Sequence, residues 1–280
     1  MSRSVVAFGW VVLVCVCSLR VVDAQTATRI YVFDNGMITG LDPALFNFSA
    51  DELAEVDFVN SSYLIVHPRG TLMFDAGAVP DSAFEAHRGG PVTEGIMTAT
   101  KPLLPQLAAA GYEPSDIDYF ALSHYHSDHT ANANAFAESE WIVQRAERDF
   151  MFADAPEGII RPDTFAQLAH ARTRVLDNED LDVFGDGAVV VIATPGHTPG
   201  HQVVAVRLRN AGTIVLGGDL YHYPEEIETG RVPTFEFDPE QSRRSREKVQ
   251  ALLSRTRGTL WIEHDLATHA ALPKAPRFVD

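Results

Sequence analysis

The chain has 280 residues, of which 46% are hydrophobic and 21% are charged, and its formal net charge is −16. A chain of this length and composition can bury a large core, so we expect an ordinary globular protein. Its acidity disfavours binding to the anionic phosphate backbone and argues against a nucleic-acid partner. Solubility alone is a sufficient reason for the acidity.

The first 24 residues are predicted to be a secretory signal peptide. Arg3 precedes an apolar run over residues 5–19, and the small residue Ala24 stands before Gln25. A charged start, a short apolar run and a small residue at the cleavage site are typical of such signals. A membrane anchor is less favoured, because a spanning helix needs about 20 apolar residues and Arg20 interrupts this run. We therefore expect cleavage after Ala24, a secreted or periplasmic protein, and no stable membrane insertion.

Both cysteines, Cys15 and Cys17, lie inside this segment. The mature chain would therefore contain no disulfide, and no thiolate could act as nucleophile or metal ligand. Residues 25–280 contain no stretch that resembles a linker, a tandem repeat or a low-complexity region. We predict a single domain over this range.

Strand and helix patterns alternate along this domain. The stretch "SSYLIVHPRGTLMFDAG" predicts a hairpin that turns at Arg69-Gly70. Leucines and alanines at helical spacing predict a helix over 103–110, which ends at the following glycine. Further on, Asp238 and Pro239 are predicted to cap and begin a helix that reaches about Arg255.

Four apolar runs are predicted to be buried strands: "YFALS", "AVVVIAT", "GTIVLGG" and "GTLWIE". Each run leads into a histidine or an aspartate; in chain order these are His124, His197, Asp219 and His264. The ends of strands are where a rigid sheet presents functional side chains. The four runs therefore predict one shared site.

The first run continues into "SHYHSDHT", residues 123–130. His124 and His126 are two positions apart, so in an extended segment they point to the same side and can share one ion. Asp128 and His129 follow after the chain begins to turn, and we expect them to face a second ion. Thr130 is predicted to be the N-cap of a short helix through "ANANAFAE", which would make the loop rigid.

The candidate ligands divide into two sets of three. One set contains only imidazoles: His124, His126 and His197. The other set is mixed: Asp128, His129 and His264. Asp219 remains, and its two oxygens can bridge two ions about 3.5–4 Å apart. Nitrogen and oxygen ligands without sulfur favour two Zn²⁺ ions, with Fe, Mn or Co as alternatives.

Other polar residues receive supporting or structural interpretations. His201, four residues after His197, is predicted to support a ligand or the fold. Asp75 ends the stretch "LMFDAG", and two interpretations stay open: it orients a ligand histidine or it caps a turn. The remaining histidines are interpreted as surface or core residues: His67, His87, His170 and His269.

The order H-x-H-x-D-H, histidine, aspartate, histidine resembles that of the metallo-β-lactamase superfamily. The likeness continues through "ATPGHTPGHQ", "LGGDLYHYPEE" and "LWIEHDLATHAALPKAPRFVD". It implies a four-layer αββα sandwich, in which helices flank two mixed β-sheets and the metals lie in a cleft at one edge of the facing sheets. One fold hosts many functions, so the substrate needs further argument.

Within the superfamily, the hairpin stretch "YLIVHPRGTLMFDAG" and the "EHD" motif are most similar to those of N-acyl homoserine lactonases, the quorum-quenching enzymes. This resemblance implies that a hydroxide bridging two metal ions opens the lactone ring of a small-molecule ester. It also implies that the enzyme is a homodimer. The residues assigned to the chemistry are Asp128, Asp219, His222 and Tyr223.

One position departs from the lactonase pattern. Lactonases carry a tyrosine three residues after the bridging aspartate, whereas this chain has His222 there, between Tyr221 and Tyr223. Successive residues of an extended segment face opposite ways, so only one side can reach the metals. We expect His222 to take the role, with Tyr223 as the alternative. An apolar wall for the acyl chain could come from Phe46, Phe48 and Phe84, although core packing is the commoner fate of such residues.

Four other functions are weighed against the lactonase. Secreted organophosphate or aryl ester hydrolases share the ligands and the signal peptide. Glyoxalase II shares the ligands, but it is normally intracellular and this chain lacks an added basic region for glutathione. β-Lactamases usually lack an aspartate at the position of Asp219. A metal-binding scaffold protein without turnover is disfavoured, because all seven ligand positions are filled.

Overall fold

The computed structural model describes residues 27–85, 87, 89–154 and 158–280. The predicted signal peptide and its two cysteines lie outside the described residues. Within the described ranges, no helix combines the length and the apolar composition that a bilayer span requires.

The strands are numbered in chain order. They are β1 (Arg29–Ile38), β2 (Phe58–His67), β3 (Gly70–Phe74), β4 (Val92–Glu94), β5 (Met97–Ala99), β6 (Tyr119–Ala121), β7 (Glu140–Gln144), β8 (Thr173–Leu176), β9 (Leu181–Asp182), β10 (Val189–Ala193), β11 (Gln202–Arg207), β12 (Thr213–Leu216), β13 (Thr259–Trp261) and β14 (Phe278–Val279). The α-helices are α1 (Asp81–Glu85), α2 (Leu103–Ala109), α3 (Ser127–Thr130), α4 (Arg145–Met151), α5 (Pro162–Phe165), α6 (Pro224–Thr229), α7 (Pro239–Thr256) and α8 (Leu266–Ala271).

The strands form two mixed sheets. The first has the order β4-β5-β1-β2-β3-β6-β7-β8, and β14 also pairs with β1. It is antiparallel from β4 to β3 and parallel from β3 to β8. The second has the order β13-β12-β11-β10-β9, and only its β12-β13 pair is parallel.

Alternating side chains explain why the two sheets stack. On β1, Ile30 and Val32 pack into the core between the sheets, whereas Tyr31 and Phe33 pack on the outer face of the first sheet. The same alternation of two faces runs along β10, β11 and β12. Successive side chains of a strand point to opposite faces, and both faces of these strands are covered. Each of these strands therefore appears in the sequence as a continuous apolar run.

Helices cover both outer faces. Leu103 and Leu107 of α2 pack against the first sheet, and Val249 of α7 packs against the second. The layers therefore run helix, sheet, sheet, helix, and the predicted four-layer αββα sandwich is confirmed.

Most of the predicted hairpin and helix boundaries agree with those in the structure. β2 and β3 form the predicted hairpin, in which His67 pairs with Gly70. The predicted helix over 103–110 corresponds to α2, and Gly111 follows it with a φ of +90°. Asp238 caps α7 by accepting from the backbone N–H groups of Glu240 and Gln241, both at 3.0 Å.

The prediction for Thr130 was wrong. "SDHT" itself forms α3, whose N-cap is His126, and a separate 3₁₀ turn follows at Ala133–Phe136. The helix cannot continue because the backbone N–H groups of residues 131 and 132 donate to the carbonyls of residues 77 and 76, both at 3.0 Å. The Thr130 hydroxyl instead lies 2.9 Å from that of Thr164.

Candidate active site

The four strand ends named above meet at one edge of the sandwich. β12 and β13 run parallel with Leu216 opposite Trp261, so Asp219 and His264 leave the second sheet side by side. β6 delivers His124 from the facing sheet, and β10 is followed by the loop that carries His197. All seven predicted ligands come together there, as two groups of mutually close side chains. We call these seven residues the metal cluster.

The imidazole set lies around one oxygen of Asp219. His126 Nδ1 is 3.1 Å from His197 Nε2. The Oδ2 atom of Asp219 is 3.3 Å from His197 Nε2 and 3.6 Å from His124 Nε2. The four side chains lie close enough together to hold one ion.

The mixed set lies around the other oxygen of Asp219. Its Oδ1 atom is 3.0 Å from His264 Nε2 and 3.1 Å from His129 Nε2. Asp128 Oδ2 completes the set at 3.4 Å from His129 Nε2 and 3.7 Å from His264 Nε2. Asp219 therefore directs one oxygen to each set, which is the arrangement a bridging carboxylate requires.

The donor atoms fit two divalent ions. His124 Nε2, His129 Nε2 and Asp219 Oδ1 are buried without a hydrogen-bond partner, and such atoms are costly unless something else binds them. A tetrahedral zinc site with bonds of about 2.0–2.1 Å has donor atoms about 3.3 Å apart. The distances above scatter around this value, so the residues of the metal cluster fit the predicted ions.

Four of the ligand imidazoles are oriented through their other ring nitrogen. Such partners fix the ring and the tautomer of a metal-binding histidine. The four pairs are Ser123 Oγ with His124 Nδ1 (2.9 Å), Asp75 Oδ2 with His129 Nδ1 (3.1 Å), Glu236 Oε1 with His197 Nδ1 (3.1 Å) and the Val59 carbonyl with His264 Nδ1 (2.9 Å). Of the two interpretations for Asp75, the orienting one is confirmed.

The charge states suit metal binding at His124, His126 and the two carboxylates. Burial lowers the pKa of His129 and His197, but the carboxylates beside them outweigh it and raise both, so these two rings would have to release a proton to bind a metal ion. Burial lowers the pKa of His124, and it lowers the pKa of His126 to about 3. Both rings are therefore neutral, which is the form that binds a metal. Burial raises the pKa of Asp128, but the neighbouring His129 outweighs it and brings that pKa to about 2. Burial acts in the same way on Asp219, and the surrounding imidazoles hold its pKa well below the usual range.

The sequence places this chain in a known superfamily. A model of the metallo-beta-lactamase superfamily matches residues 56–258. The chain belongs to the metallo-β-lactamase superfamily. The N-acyl homoserine lactonase AttM of Azorhizobium caulinodans is 31% identical over 226 residues, which cover 78% of this chain and 86% of that protein.

Two further comparisons point the same way. The N-acyl homoserine lactonase AiiA of Bacillus thuringiensis subsp. kurstaki is 27% identical over 226 residues, covering 78% of this chain and 85% of that protein. A crystal structure of a quorum-quenching N-acyl homoserine lactone lactonase superposes with a TM-score of 0.74 at 22% identity, over 91% of this chain and all of that one. The predicted resemblance, and the predicted class of metal-dependent hydrolase, are confirmed.

In this metallo-β-lactamase-family chain, His201 supports the bridging aspartate. Its Nε2 accepts from the Asp219 backbone N–H at 3.1 Å, and its Nδ1 lies 2.9 Å from the Thr194 hydroxyl. Gly218 stands just before Asp219 with a φ of +46°, and a Cβ there would lie 2.6 Å from that of Ser123. Only glycine fits this left-handed position between two ligand loops.

His222 reaches the metal cluster and its tyrosine neighbours do not. Its Nε2 lies 3.2 Å from Asp219 Oδ2. The Tyr223 hydroxyl instead donates to the Val56 carbonyl at 2.8 Å, and its ring packs among buried aromatic side chains. The guanidinium of Arg246 lies over the ring of Tyr221, with its Cζ atom 4.4 Å from the ring centroid. The structure therefore brings His222 to the site and leaves Tyr223 out of it.

A cavity of about 270 Å³ opens directly over the metal cluster. The polar residues that line it form what we call the pocket floor: His126, Ser127, Asp128, Asp219, His222 and His264. The apolar residues that line it form the pocket walls: Ile38, Leu41, Leu45, Phe46, Phe58, Ile96, Met97, Ile159 and Phe235. Of the three predicted wall phenylalanines, only Phe46 lines the cavity; Phe48 packs in the same apolar cluster as Phe46 without lining the cavity, and Phe84 packs in another cluster.

Sequence reasoning missed several orienting residues. Glu236 lies 39 residues from the histidine it orients, and nothing in its local sequence marks it. Glu263 stands next to His264, yet its carboxylate faces His129, with Oε1 at 3.3 Å from Nδ1. An alternation argument could have placed Glu263 on the side opposite His264, but only the folded chain brings it to His129.

Proposed function

We propose that this protein is a dinuclear metal-dependent hydrolase that opens the lactone ring of N-acyl homoserine lactones. The observation that carries the proposal is the pocket, in which a polar floor, made mostly of metal-cluster residues, faces apolar walls. A substrate with a polar lactone ring and an apolar acyl chain matches both surfaces. The names of the related lactonases support the same substrate class.

The metal cluster would hold one ion on each side of Asp219. The first would be bound by His124, His126 and His197, and the second by Asp128, His129 and His264. Two divalent ions supply a Lewis acid that polarises the ester carbonyl, and a hydroxide nucleophile that is available at neutral pH.

Residues of the pocket floor then have distinct tasks. Addition to the ester carbonyl develops negative charge on its oxygen, and a donor preorganised beside that oxygen stabilises the charge. We assign this contact to His222, which lines the cavity and whose buried Nε2 has no hydrogen-bond partner and lies 3.2 Å from Asp219 Oδ2. Breaking the ring bond leaves the ring oxygen in need of a proton, which the hydroxyl group newly added to the carbonyl carbon gives up. We assign the transfer of that proton between the two oxygens to the carboxylate of Asp219.

The pocket walls bind the acyl chain and keep water away from the floor. Each methylene group that moves from water into an apolar pocket contributes about 0.8 kcal/mol. Exclusion of water also strengthens the electrostatic contacts of the floor. Substrates with longer acyl chains should therefore have a higher kcat/KM until the walls are filled.

The protein is also proposed to be exported. The charged start, the apolar run and Ala24 before Gln25 support a cleaved signal peptide. N-terminal sequencing of material from the medium or the periplasm should begin at Gln25. Exported protein that retains residue 1 would contradict this.

Metal analysis of the purified mature protein, combined with a hydrolysis panel, tests the activity. The panel contains acyl homoserine lactones, phosphotriesters, β-lactams and glutathione thioesters. We expect about two ions per chain, release of one acid equivalent per lactone turned over, and a product that closes again on acidification. Release of free homoserine lactone would indicate an acylase. Rates on phosphotriesters far above those on lactones would identify an organophosphate hydrolase.

A further inference from the structure

A buried row of charged side chains leads from α7 to the metal cluster. Arg246 of α7 is 5% exposed, Glu226 of α6 is fully buried, and His222 is 2% exposed. Arg246 Nη2 donates to Glu226 Oε2 at 2.6 Å, and Glu226 Oε1 lies 3.4 Å from His222 Nδ1. On its other side, His222 Nε2 faces Asp219 Oδ2 at 3.2 Å.

Glu226 is held in place from two directions. Helix α6 begins at Pro224, and the Glu226 side chain turns back so that Oε2 also accepts from the His222 backbone N–H at 3.4 Å. Arg246 is itself fixed, because its Nε donates to the Leu220 carbonyl at 2.8 Å. The second oxygen of Glu226, Oε1, has no hydrogen-bond partner and faces the imidazole.

The aromatic neighbours of His222 fix its ring plane but not its ring direction. Phe58 and His264 stack on it at 6.0 Å with interplanar angles of 22° and 9°, and Phe46 lies tilted at 5.0 Å. Such contacts hardly distinguish nitrogen from carbon, so they would permit a ring flip that removes Nε2 from the floor. A carboxylate beside Nδ1 makes the two directions different, because it accepts a hydrogen bond only from N–H.

We propose that Glu226 is a positioning residue, which accepts from His222 Nδ1–H and thereby holds Nε2 on the pocket floor beside Asp219. Arg246 neutralises the buried carboxylate and anchors it. A buried ion pair is weak evidence for a role in stability, since desolvation offsets much of its attraction. This inference rests on the proposed function of His222 as the residue that contacts the substrate carbonyl.

The substitution that tests it is Glu226→Gln. A glutamine can keep its oxygen on Arg246, but its amide N–H groups then face Nδ1, which favours the opposite tautomer or a ring flip. We expect kcat on N-decanoyl homoserine lactone to fall about 10-fold. This is the low end of the loss seen when a residue that orients an active-site side chain through a hydrogen bond is replaced. KM and metal content should change less than about 2-fold. Glu225→Gln, whose parent side chain accepts from the Ala54 N–H near the surface, is the matched control.

A double-mutant cycle separates positioning from a general structural effect. If Glu226 acts through His222, adding Glu226→Gln to His222→Phe should change kcat less than about 2-fold, because the coupled partner is already absent. A further 10-fold loss in that background would overturn the proposal. So would an unchanged kcat for the single Glu226→Gln variant.

Ring-nitrogen NMR of the zinc-loaded wild type gives a result that needs no stable Glu226 variant. Long-range ¹H–¹⁵N spectra of ¹⁵N-histidine-labelled protein, assigned by the signals missing in His222→Phe, should show a proton on Nδ1 of His222. A bare Nδ1 would overturn the inference. If the wild type opens no lactone, the proposed function fails, while this spectrum still decides how Glu226 and His222 are paired.

Discussion

The floor and the walls of the pocket differ in polarity and in how firmly their side chains are held. Floor residues such as Asp219 (4% exposed) and His264 (2% exposed) are buried and tied by hydrogen bonds. The wall residues are apolar and range from buried rings such as Phe46 (2% exposed) to solvent-exposed side chains such as Ile96 (47% exposed) and Ile159 (59% exposed). Under the proposed function, the reaction would depend on the rigid floor, and the choice of acyl chain would depend on the walls.

The two surfaces also come from different parts of the fold. Most floor residues follow strands β6, β12 and β13, where the sheets hold the backbone. The walls come mainly from the turn at Pro43–Phe46, the β4-β5 hairpin and the segment near Ile159. The backbone joins the surfaces at Ser127, whose N–H donates to the Ile159 carbonyl at 3.1 Å. Connecting segments tolerate change better than strand ends, so the walls are where specificity can vary.

The largest effect is expected from Asp219→Ala, on the floor. Loss of the carboxylate that faces both ligand sets should lower kcat by at least about 10³-fold, or about 4 kcal/mol of transition-state stabilisation. Metal content should fall below two ions per chain. The far-UV circular dichroism spectrum should stay unchanged, because the strand core is intact. Full activity with about one ion per chain would show that the two-metal interpretation is wrong.

His222→Phe is expected to have the next largest effect. Phenylalanine preserves the ring that packs against Phe46 and Phe58 but removes Nε2 from the floor. Turnover should fall about 10²-fold with metal content unchanged, as for a lost oxyanion or acid–base contact. Wild-type turnover in this variant would show that His222 takes no part in the reaction and only lines the pocket.

A change in the walls should have a smaller effect that depends on chain length. Ile96→Ser removes apolar surface worth about 1 kcal/mol to a chain that reaches it. The kcat/KM for N-decanoyl homoserine lactone should fall about 5-fold, and that for the butanoyl substrate less than about 2-fold. Ile227→Ser is the matched control, since Ile227 is exposed but does not line the cavity. Equal losses for both substrates would mean that Ile96 does not contact the acyl chain.

The smallest effect on activity is expected from Tyr223→Phe, behind the walls. This change deletes the hydroxyl that donates to the Val56 carbonyl. The free energy of unfolding should fall by about 1 kcal/mol, the usual value of one such hydrogen bond, while kcat stays within about 2-fold. A large loss of turnover here, together with a silent His222→Phe, would move the substrate contact by one residue.

Much of this site could be predicted from local sequence. The strands β6, β10, β12 and β13 carry apolar residues on both faces, so each appears as a continuous run whose end is visible in the sequence. The H-x-H-x-D-H spacing depends only on the geometry of a strand that enters a turn, and the division of its four candidate ligands between two sets follows from it. These features are local, and the sequence therefore predicted the fold class and the candidate metal ligands that the structure brings together.

Only the tertiary structure decided which neighbours support those ligands and the substrate. Glu236 orients His197 across 39 positions, and the choice of His222 over Tyr223 depends on which way two adjacent side chains point. Glu226 reaches His222 only because α6 turns its side chain back toward Arg246. Such contacts join residues that share no periodicity in the sequence. They depend on the paths that loops take across the edge of a sheet, and a local sequence pattern does not predict those paths.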